Sequence, residues 1–449
     1  MKTKSKILNV FLAILLLTSC GGQSADSERN DITKTSDLIE NLNEYQAKLD
    51  AEKILEKIEE ENQAIEEQID EALDEGQTSE VAKSTDDDRT DEDGDLVPKS
   101  GRTEKVRIKA VGDIMAHNIQ NQYAYNRGGG VYDFSDSFAY VADFIKDADL
   151  AIGNYETTTN PNLAYAGYPR FNTPEAFIKA IADAGFDILT TANNHSLDTE
   201  LEGLYSTIDA IDNQGLSHVG SQRDESERIL IKDVNDVKIA FLSYTFGANG
   251  RENLLVPREE VAELNYLHPE LIERDIKKAK SLGADFVVVY PHWGIEYQSY
   301  QDPSQTELGH NMIEWGADVV IGNHPHVVQP SEWYEASDGR EGFIAYACGN
   351  FISYQNLETT QNINTEQAVA YEISLEKNFA TGDTTVADVA AYPLWVGLTY
   401  NDYGPNIQTR VTTDFLEGGK YYDQVDEYQR NRIKQAYDTT TSILNSGAN

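Results

Sequence analysis

The chain has 449 residues, enough for two or three domains and a large core. Its 77 acidic residues outnumber 36 basic ones, a formal net charge of −41. That balance fits a solvated acidic surface and excludes nucleic acid as a partner, because phosphate contacts need lysine and arginine.

The N-terminus reads as a targeting segment. Lys2, Lys4 and Lys6 precede a short apolar run, Ile7 to Leu17, too short to span a bilayer comfortably. Leu17-Thr-Ser-Cys20 resembles a bacterial lipoprotein lipobox. The resemblance implies removal of residues 1–19, a diacylglycerol on Cys20, and anchoring at the extracytoplasmic face of the cell membrane. The chain has two cysteines, so Cys348 has no partner for a structural disulfide and reads as a small buried hydrophobe. Residues 20–36 form a polar tether. Residues 37–76 carry a helical pattern, with Leu38, Leu42, Tyr45 and Leu49 among its apolar positions, that suits an amphipathic or weakly coiled-coil helix. Residues 77–105, with Asp86-Asp-Asp88 and Asp91-Glu-Asp-Gly-Asp95, read as an acidic disordered linker.

The main body spans 106–400. Strands are expected at Val106–Val111, Leu150–Ile152, Phe186–Leu189, Phe286–Tyr290 and Ala317–Ile321, and helices at 138–146, 174–184, 202–213, 266–282 and 306–315. Ile229–Lys232 and Lys238–Ser243 read as a hairpin across Val234-Asn-Asp-Val237. Gly342–Ala347, Ala368–Leu375, Thr384–Ala390 and Tyr392–Val396 add strands, with Gly349-Asn-Phe-Ile352 a loop. A C-terminal extension, 401–449, holds a helix over 422–445. Helices and strands alternate first and strands dominate later, which favours a layered α/β sandwich.

Chemistry gathers where the strands end. In Ile321-Gly-Asn-His-Pro-His-Val-Val-Gln329 two histidines flank a proline just after an apolar run. Pro325 should push His324 towards an extended conformation. His292, His195 and His117, three more of the eight histidines, and Glu156 likewise follow strand-like segments. Ligands of open α/β sheets bind beyond the carboxyl ends of the strands, and imidazole is a common metal ligand, so a metal site is expected there.

The body resembles the CapA family of poly-γ-glutamate capsule biosynthesis proteins, relatives of the calcineurin-like metallophosphoesterases. The matching pieces are Gly112-Asp-Ile-Met115, Gly153-Asn-Tyr-Glu156, Tyr168-Pro-Arg-Phe-Asn-Thr-Pro174, Ala192-Asn-Asn-His-Ser-Leu-Asp198, Ser243-Tyr-Thr-Phe-Gly247, Pro291-His-Trp-Gly-Ile-Glu-Tyr297, Gly322-Asn-His-Pro-His-Val-Val-Gln-Pro330 and Gly349-Asn-Phe-Ile-Ser353. The resemblance implies a four-layer α/β/β/α sandwich with one or two divalent metal ions, manganese, iron or zinc, at the strand ends. Asp113 and His326 would then serve the first ion, Asn194, His292 and His324 the second, and Glu156 would bridge both. His195 would be the general acid. Asp198 could orient His195 or cap the following helix. Arg170, Trp293 and Glu296 are expected at the substrate, with a hydrogen bond to a ligand histidine as the alternative for Glu296.

Two positions depart from the phosphoesterase pattern. Met115 stands where a first-ion histidine is usual, and Glu156 where the bridging residue is usually aspartate. The first ion should therefore bind more weakly, unless His117 compensates. The expected function is an anchored protein of capsule or poly-γ-glutamate synthesis or export, beside a membrane polymer synthase, taking an anionic polymer or phosphoester. The alternatives are a true metal-dependent phosphoesterase, which Asn194-His195 favours, and a non-catalytic polymer-binding module, which Met115 favours.

Overall fold

The structure, a computed structural model, describes residues 89–90, 96–97, 101–255 and 261–446. The chain divides into two units, Met1–Asp86 and Asp87–Asn449. The expected signal segment, tether and 37–76 helix lie outside the described residues. Within the expected linker, Arg89–Thr90 pairs antiparallel with Leu96–Val97.

Beside that short pair, two large sheets form the second unit among the described residues. The larger is built on β1 (Thr103–Ile114), β2 (Leu150–Tyr155), β3 (Ile188–Thr190) and β4 (Ser217–Val219), all parallel. The smaller is built on β5 (Leu230–Val234), β6 (Val237–Thr245), β7 (Phe286–His292), β8 (Val319–Ile321), β9 (Ser331–Glu335) and β10 (Glu341–Ala345). There β6, β7, β8 and β10 are parallel, and β5 and β9 run antiparallel at the two edges. β11 (Asn350–Ile352) returns to the larger sheet and pairs parallel with β1. β12 (Gln367–Asn378), β13 (Thr384–Asn401) and β14 (Gly404–Val411) complete it as an antiparallel meander beside β1.

Central parallel strands are covered on both faces, which is why they read as unbroken apolar runs. Alternate side chains separate into two layers. Ile239, Phe241, Val288 and Tyr290 face Ile108, Ile152 and Ile188 between the sheets. Ala240, Leu242, Val287 and Val289 point the other way, onto Ile272 and Ile276 of α6 (Pro269–Ser281) and Met312 and Ile313 of α7 (Pro303–Trp315). Phe177, Ile178 and Ile181 of α3 (Glu175–Asp183) cover the outer face of the larger sheet with Val111, Ala151 and Leu189. Each buried Val, Leu, Ile, Phe or Met side chain among these contributes about 1.5–3 kcal/mol. The result is the expected α/β/β/α sandwich. Helix α7 has clear punctuation: Asp302 and Gln305 form a capping box, and Gly316 at φ 117° closes it. The β5–β6 hairpin turns through Asn235 and Asp236, both at positive φ as a tight primed turn requires.

Several features differ from the sequence reading. The loop expected at Gly349–Ile352 holds strand β11, β9 is an added edge strand, and the strands expected at 384–390 and 392–396 are one, β13. The helices α1 (Asn118–Arg127), α2 (Ala142–Lys146), α4 (Glu200–Asn213), α5 (Glu252–Leu255), α8 (Leu357–Thr360) and α9 (Glu427–Ser446) are the remaining α-helices among the described residues, and α1, α5 and α8 have no sequence counterpart. The α1 segment lacks an apolar period. The C-terminal extension also contributes β14 to the larger sheet.

Gly112 is where β1 meets the turn before β11. A Cβ there would lie 1.9 Å from the carbonyl oxygen of Gly349, a backbone atom that cannot yield cheaply. Gly112→Ala is expected to lose at least about 2 kcal/mol in urea unfolding. Gly215→Ala, at φ +77° with no atom within 4 Å, is expected to lose only about 1 kcal/mol, from backbone strain. Equal losses would contradict this packing.

Candidate metal centre

Because β1, β2, β3, β6, β7 and β8 all point the same way within their sheets, their carboxyl ends deliver side chains to one region. β1 supplies Asp113, the residue after β2 is Glu156, the turn after β3 holds Asn193, Asn194 and His195, β7 ends on His292, and the turn after β8 carries His324 and His326.

Two groups of potential ligand atoms, each within 4.8 Å of one another, result: Glu156, His292 and His324, and Asp113, Glu156 and His326. Glu156 belongs to both. His292 Nε2 lies 3.6 Å and His326 Nε2 3.7 Å from Glu156 Oε1. His292 Nε2 is also 2.9 Å from Asn194 Oδ1, and His326 Nδ1 is 3.1 Å from Asp113 Oδ2. The sequence-expected residues Asp113, Glu156, Asn194, His292, His324 and His326 are thus brought together.

Backbone strain accompanies them. His324 has φ 100° and His326 φ 59°. The extended conformation expected for His324 from Pro325 is not adopted. Non-glycine residues at positive φ are uncommon and costly, and they cluster where a side chain has to be aimed. Backbone bonds hold the turn: Tyr297 N donates to Pro325 O at 2.8 Å, and Cys348 N to Gly322 O at 3.1 Å.

Glu156 is fully buried, and neither carboxylate oxygen has a hydrogen-bond partner. Burial first, then the charges of Asp113 and Glu296, push its pKa well above the usual carboxylate range. A buried carboxyl without a partner is costly. His324 Nδ1 is also buried and unpartnered. Burial holds His292 well below its usual pKa, with His324 and His326 adding to it. His324 is lowered to about 3, by burial and then His326, and His117 to about 3, by burial, His326 and His195. A divalent cation answers both problems: it partners the orphaned oxygens and prefers neutral imidazoles. The donor set therefore fits the expected ions.

His195 lies beside this cluster. Its Nδ1 is 2.7 Å from Asp198 Oδ2, and Asp198 is also held by the Phe171 amide, which donates to Oδ2 at 2.6 Å. Thr199, not Asp198, occupies the N-cap of α4. Asp198 thus orients His195. Arg170 Nε donates to the Asp198 carbonyl at 2.8 Å, and its guanidinium pairs with Glu200 at 3.3 Å, so Arg170 braces the dyad. Trp293, expected at the substrate, is instead buried in the outer core, where its Nε1 donates to Tyr346 O at 2.9 Å. Glu296 is exposed, and among the described residues it bonds to no histidine. Its charge nevertheless reaches Glu156. Met115 is core, 1% exposed, and His117 Nε2 meets Ser353 Oγ at 3.1 Å and joins neither ligand group. Cys348 is buried and free.

Sequence reasoning missed Asn154, Asn350 and Phe246. Asn154 Nδ2 donates to Asp113 Oδ1 at 2.8 Å and lies 3.2 Å from His292 Nδ1, so it braces both groups. The half-exposed Phe246 ring lies parallel to His292 at a centroid distance of 6.2 Å and tilted against His324 at 4.7 Å. All three lie inside the quoted motifs, beside the residues that had drawn notice there.

The acid response of the metal-stripped protein follows from these shifts. His117, His292 and His324 are lowered, so unfolding takes up their protons below pH 6.5. The stability they give is present above that value and is lost as pH falls towards their folded values, about 3 for His117 and His324. Glu156 is raised, so its contribution is present below about 4.5 and lost as pH rises through its folded value. Three protons oppose one, each worth about 1.4 kcal/mol per pH unit. The stripped protein should lose Tm from pH 6.5 to pH 5, and His117→Gln should flatten that slope. A Tm independent of pH over this range, or a slope that His117→Gln leaves intact, would contradict the neutral buried histidines.

Fold and cluster together define a class: a two-sheet α/β sandwich with a candidate two-cation centre at the strand ends. A family model described as Bacterial capsule synthesis protein PGA_cap matches residues 107–355, over half of the chain. The chain belongs to that family. It is 32% identical over 276 residues to the capsule biosynthesis protein CapA of Bacillus anthracis, covering 59% of this chain and 64% of that one. It is 31% identical over 286 residues to the PGA biosynthesis protein CapA of Bacillus subtilis, covering 59% and 70%. Among solved structures it matches the calcineurin-like phosphoesterase YfkN of Bacillus subtilis at 16% identity and TM-score 0.41, over 76% of this chain and 98% of that one.

Proposed function

We propose that this protein is a divalent-cation-dependent accessory protein in the synthesis or export of a capsular poly-γ-glutamate-type polymer, acting beside a membrane polymer synthase. Family membership and the names of its Bacillus relatives support the pathway. A relative from Mycobacterium tuberculosis, 24% identical, is named a probable polyglutamine synthesis accessory protein. The observation that carries the cation centre is Glu156: a buried carboxylate, unbonded at both oxygens, shared by two histidine-containing groups. Asp113, Glu156 and His326 would hold one ion, and Glu156, Asn194, His292 and His324 the other. Bound ions would supply Lewis acidity towards a phosphoryl or carbonyl oxygen. Asp198 holds His195 by Nδ1, which leaves Nε2 to carry a proton to or from a substrate atom. Arg170 keeps Asp198 in place from the rim. The experiment is polymer output from cells carrying His292→Ala: a loss supports the reading, and full output sinks it.

The His195–Asp198 pair favours a second reading, hydrolysis of a phosphoester. A binding surface needs no buried, carboxylate-held imidazole beside its ions. Assay of the metal-loaded protein on a generic phosphodiester tests it.

Anchoring completes the proposal. Cys20 follows a lipobox-like segment, and the reading places the body outside the cell membrane, held by lipid. Among the described residues no helix is long and apolar enough to cross a membrane. Cys20→Ala is expected to move most of the protein from the membrane fraction to the soluble one. Unchanged fractionation would overturn the anchor.

A further inference from the structure

Asn350 has no assigned role, yet it is fully buried and touches the candidate centre through His326. It lies across from Asp113 in the β1–β11 register. Its Oδ1 is 3.1 Å from His326 Nδ1. Its Nδ2 faces three acceptors: Thr365 O at 3.0 Å, Gln355 Oε1 at 3.0 Å and His326 O at 3.3 Å. Those acceptors fix which end of the carboxamide is nitrogen. Nδ1 of His326 then meets only acceptors, Asn350 Oδ1 and Asp113 Oδ2, so it carries the ring proton. The lone pair is left on Nε2, the atom 3.7 Å from Glu156. The same carboxamide ties down the carbonyl of His326, whose backbone is strained at φ 59°.

Thr365 is itself held from the C-terminal part of the chain. The neighbouring Glu366 carboxylate accepts from Leu357 N at 2.9 Å and Trp395 Nε1 at 3.4 Å, and pairs with Arg432 of α9. Thr365, Trp395 and Arg432 all lie beyond residue 355, where the family match ends.

We propose that Asn350 is a positioning residue that sets His326 Nε2 towards the first cation, and that the Glu366–Arg432 clamp makes the C-terminal segment part of the centre's scaffold. This rests on the cation-centre reading. Partners that fix the tautomer of a ligand histidine commonly change metal affinity by about 10–100-fold.

The test is calorimetric titration of the metal-stripped full chain with Mn²⁺, with His326→Gln and His292→Gln identifying the two binding classes. Asn350→Leu is expected to weaken the class lost in His326→Gln by about 10–100-fold. It should leave the class lost in His292→Gln within about twofold, an asymmetry that a general loss of structure does not produce. Arg432→Leu should reproduce the loss in smaller measure. Equal weakening of both classes by Asn350→Leu, or none, would overturn this proposal alone. Absence of Mn²⁺ binding by the unmodified protein would overturn the cation centre and this proposal with it. Nitrogen NMR of the ring in the unmodified, metal-free protein gives an independent decision if variants do not fold. His326 protonated on Nδ1 supports the proposal, and protonation on Nε2 overturns it.

Discussion

Glu156→Gln is expected to empty both cation positions while leaving the fold intact. Glu156 is the one side chain common to both ligand groups, and it is wholly buried. Glutamine keeps its size and one oxygen but removes the negative charge that a divalent ion seeks. Affinity should fall by more than the roughly 100-fold that accompanies loss of an outer supporting partner. The metal-free variant should be at least as stable as the metal-free parent near pH 8. The parent there keeps a carboxyl that is either protonated against the solvent or charged without a partner. Loss of metal with retained Tm therefore separates ligation from folding. The single-group variants should differ in degree. His292→Ala removes a ligand from the position that keeps four protein donors, and should abolish tight binding. His326→Ala should release a weaker ion, because Met115 is packed in the core where a further ligand would be expected.

His195→Ala is expected to give the opposite pattern: full metal content and lost chemistry. His195 belongs to neither ligand group, and its Nδ1 is engaged by Asp198 at 2.7 Å. If the centre turns over a phosphoester, the variant should lose about 10²–10⁴-fold in rate, the range for a general acid. Asp198→Asn should lose less, since an amide oxygen can still accept from Nδ1 but no longer favours the charged ring. Polymer output adds a discriminating readout. Output that survives His195→Ala yet fails in His292→Ala marks a cation-dependent binding module. Loss of bound metal in His195→Ala would contradict its placement outside the ligand set.

How far these residues could be read from sequence depends on what signals them. Parallel strands announce themselves as apolar runs, and their carboxyl ends fall on one side by topology, so Glu156, His292, His324 and His326 were visible as candidates, while Asp113 and Asn194 came from the family resemblance. Neither β9 nor α1 was visible, for a common reason. Ser331–Glu335 is a half-exposed edge strand, and Asn118–Arg127 has too few apolar residues for a helical period, so tertiary packing decides both. β11 has three residues, too few for alternation to show, and exists because β1 offers it a free edge. His324 defied the local steric rule for a residue before proline. The bonds from Pro325 O and Gly322 O impose a turn that the dipeptide alone would avoid. Trp293 sat beside a ligand in sequence, but strand alternation sends neighbours to opposite faces, and it went to the core. Asn154 and Asn350 went unnoticed because a carboxamide gives no sign in sequence of whether it will be buried between ligands.

Elemental analysis of the purified protein tests most directly whether Glu156 would serve two divalent cations. The unmodified protein, equilibrated with manganese, iron or zinc and freed of excess ion, should retain about two ions per chain, one for each ligand group. Glu156→Gln prepared in parallel should retain almost none. Equal metal content in the two proteins, or an unmodified protein that keeps no ion, would contradict the account.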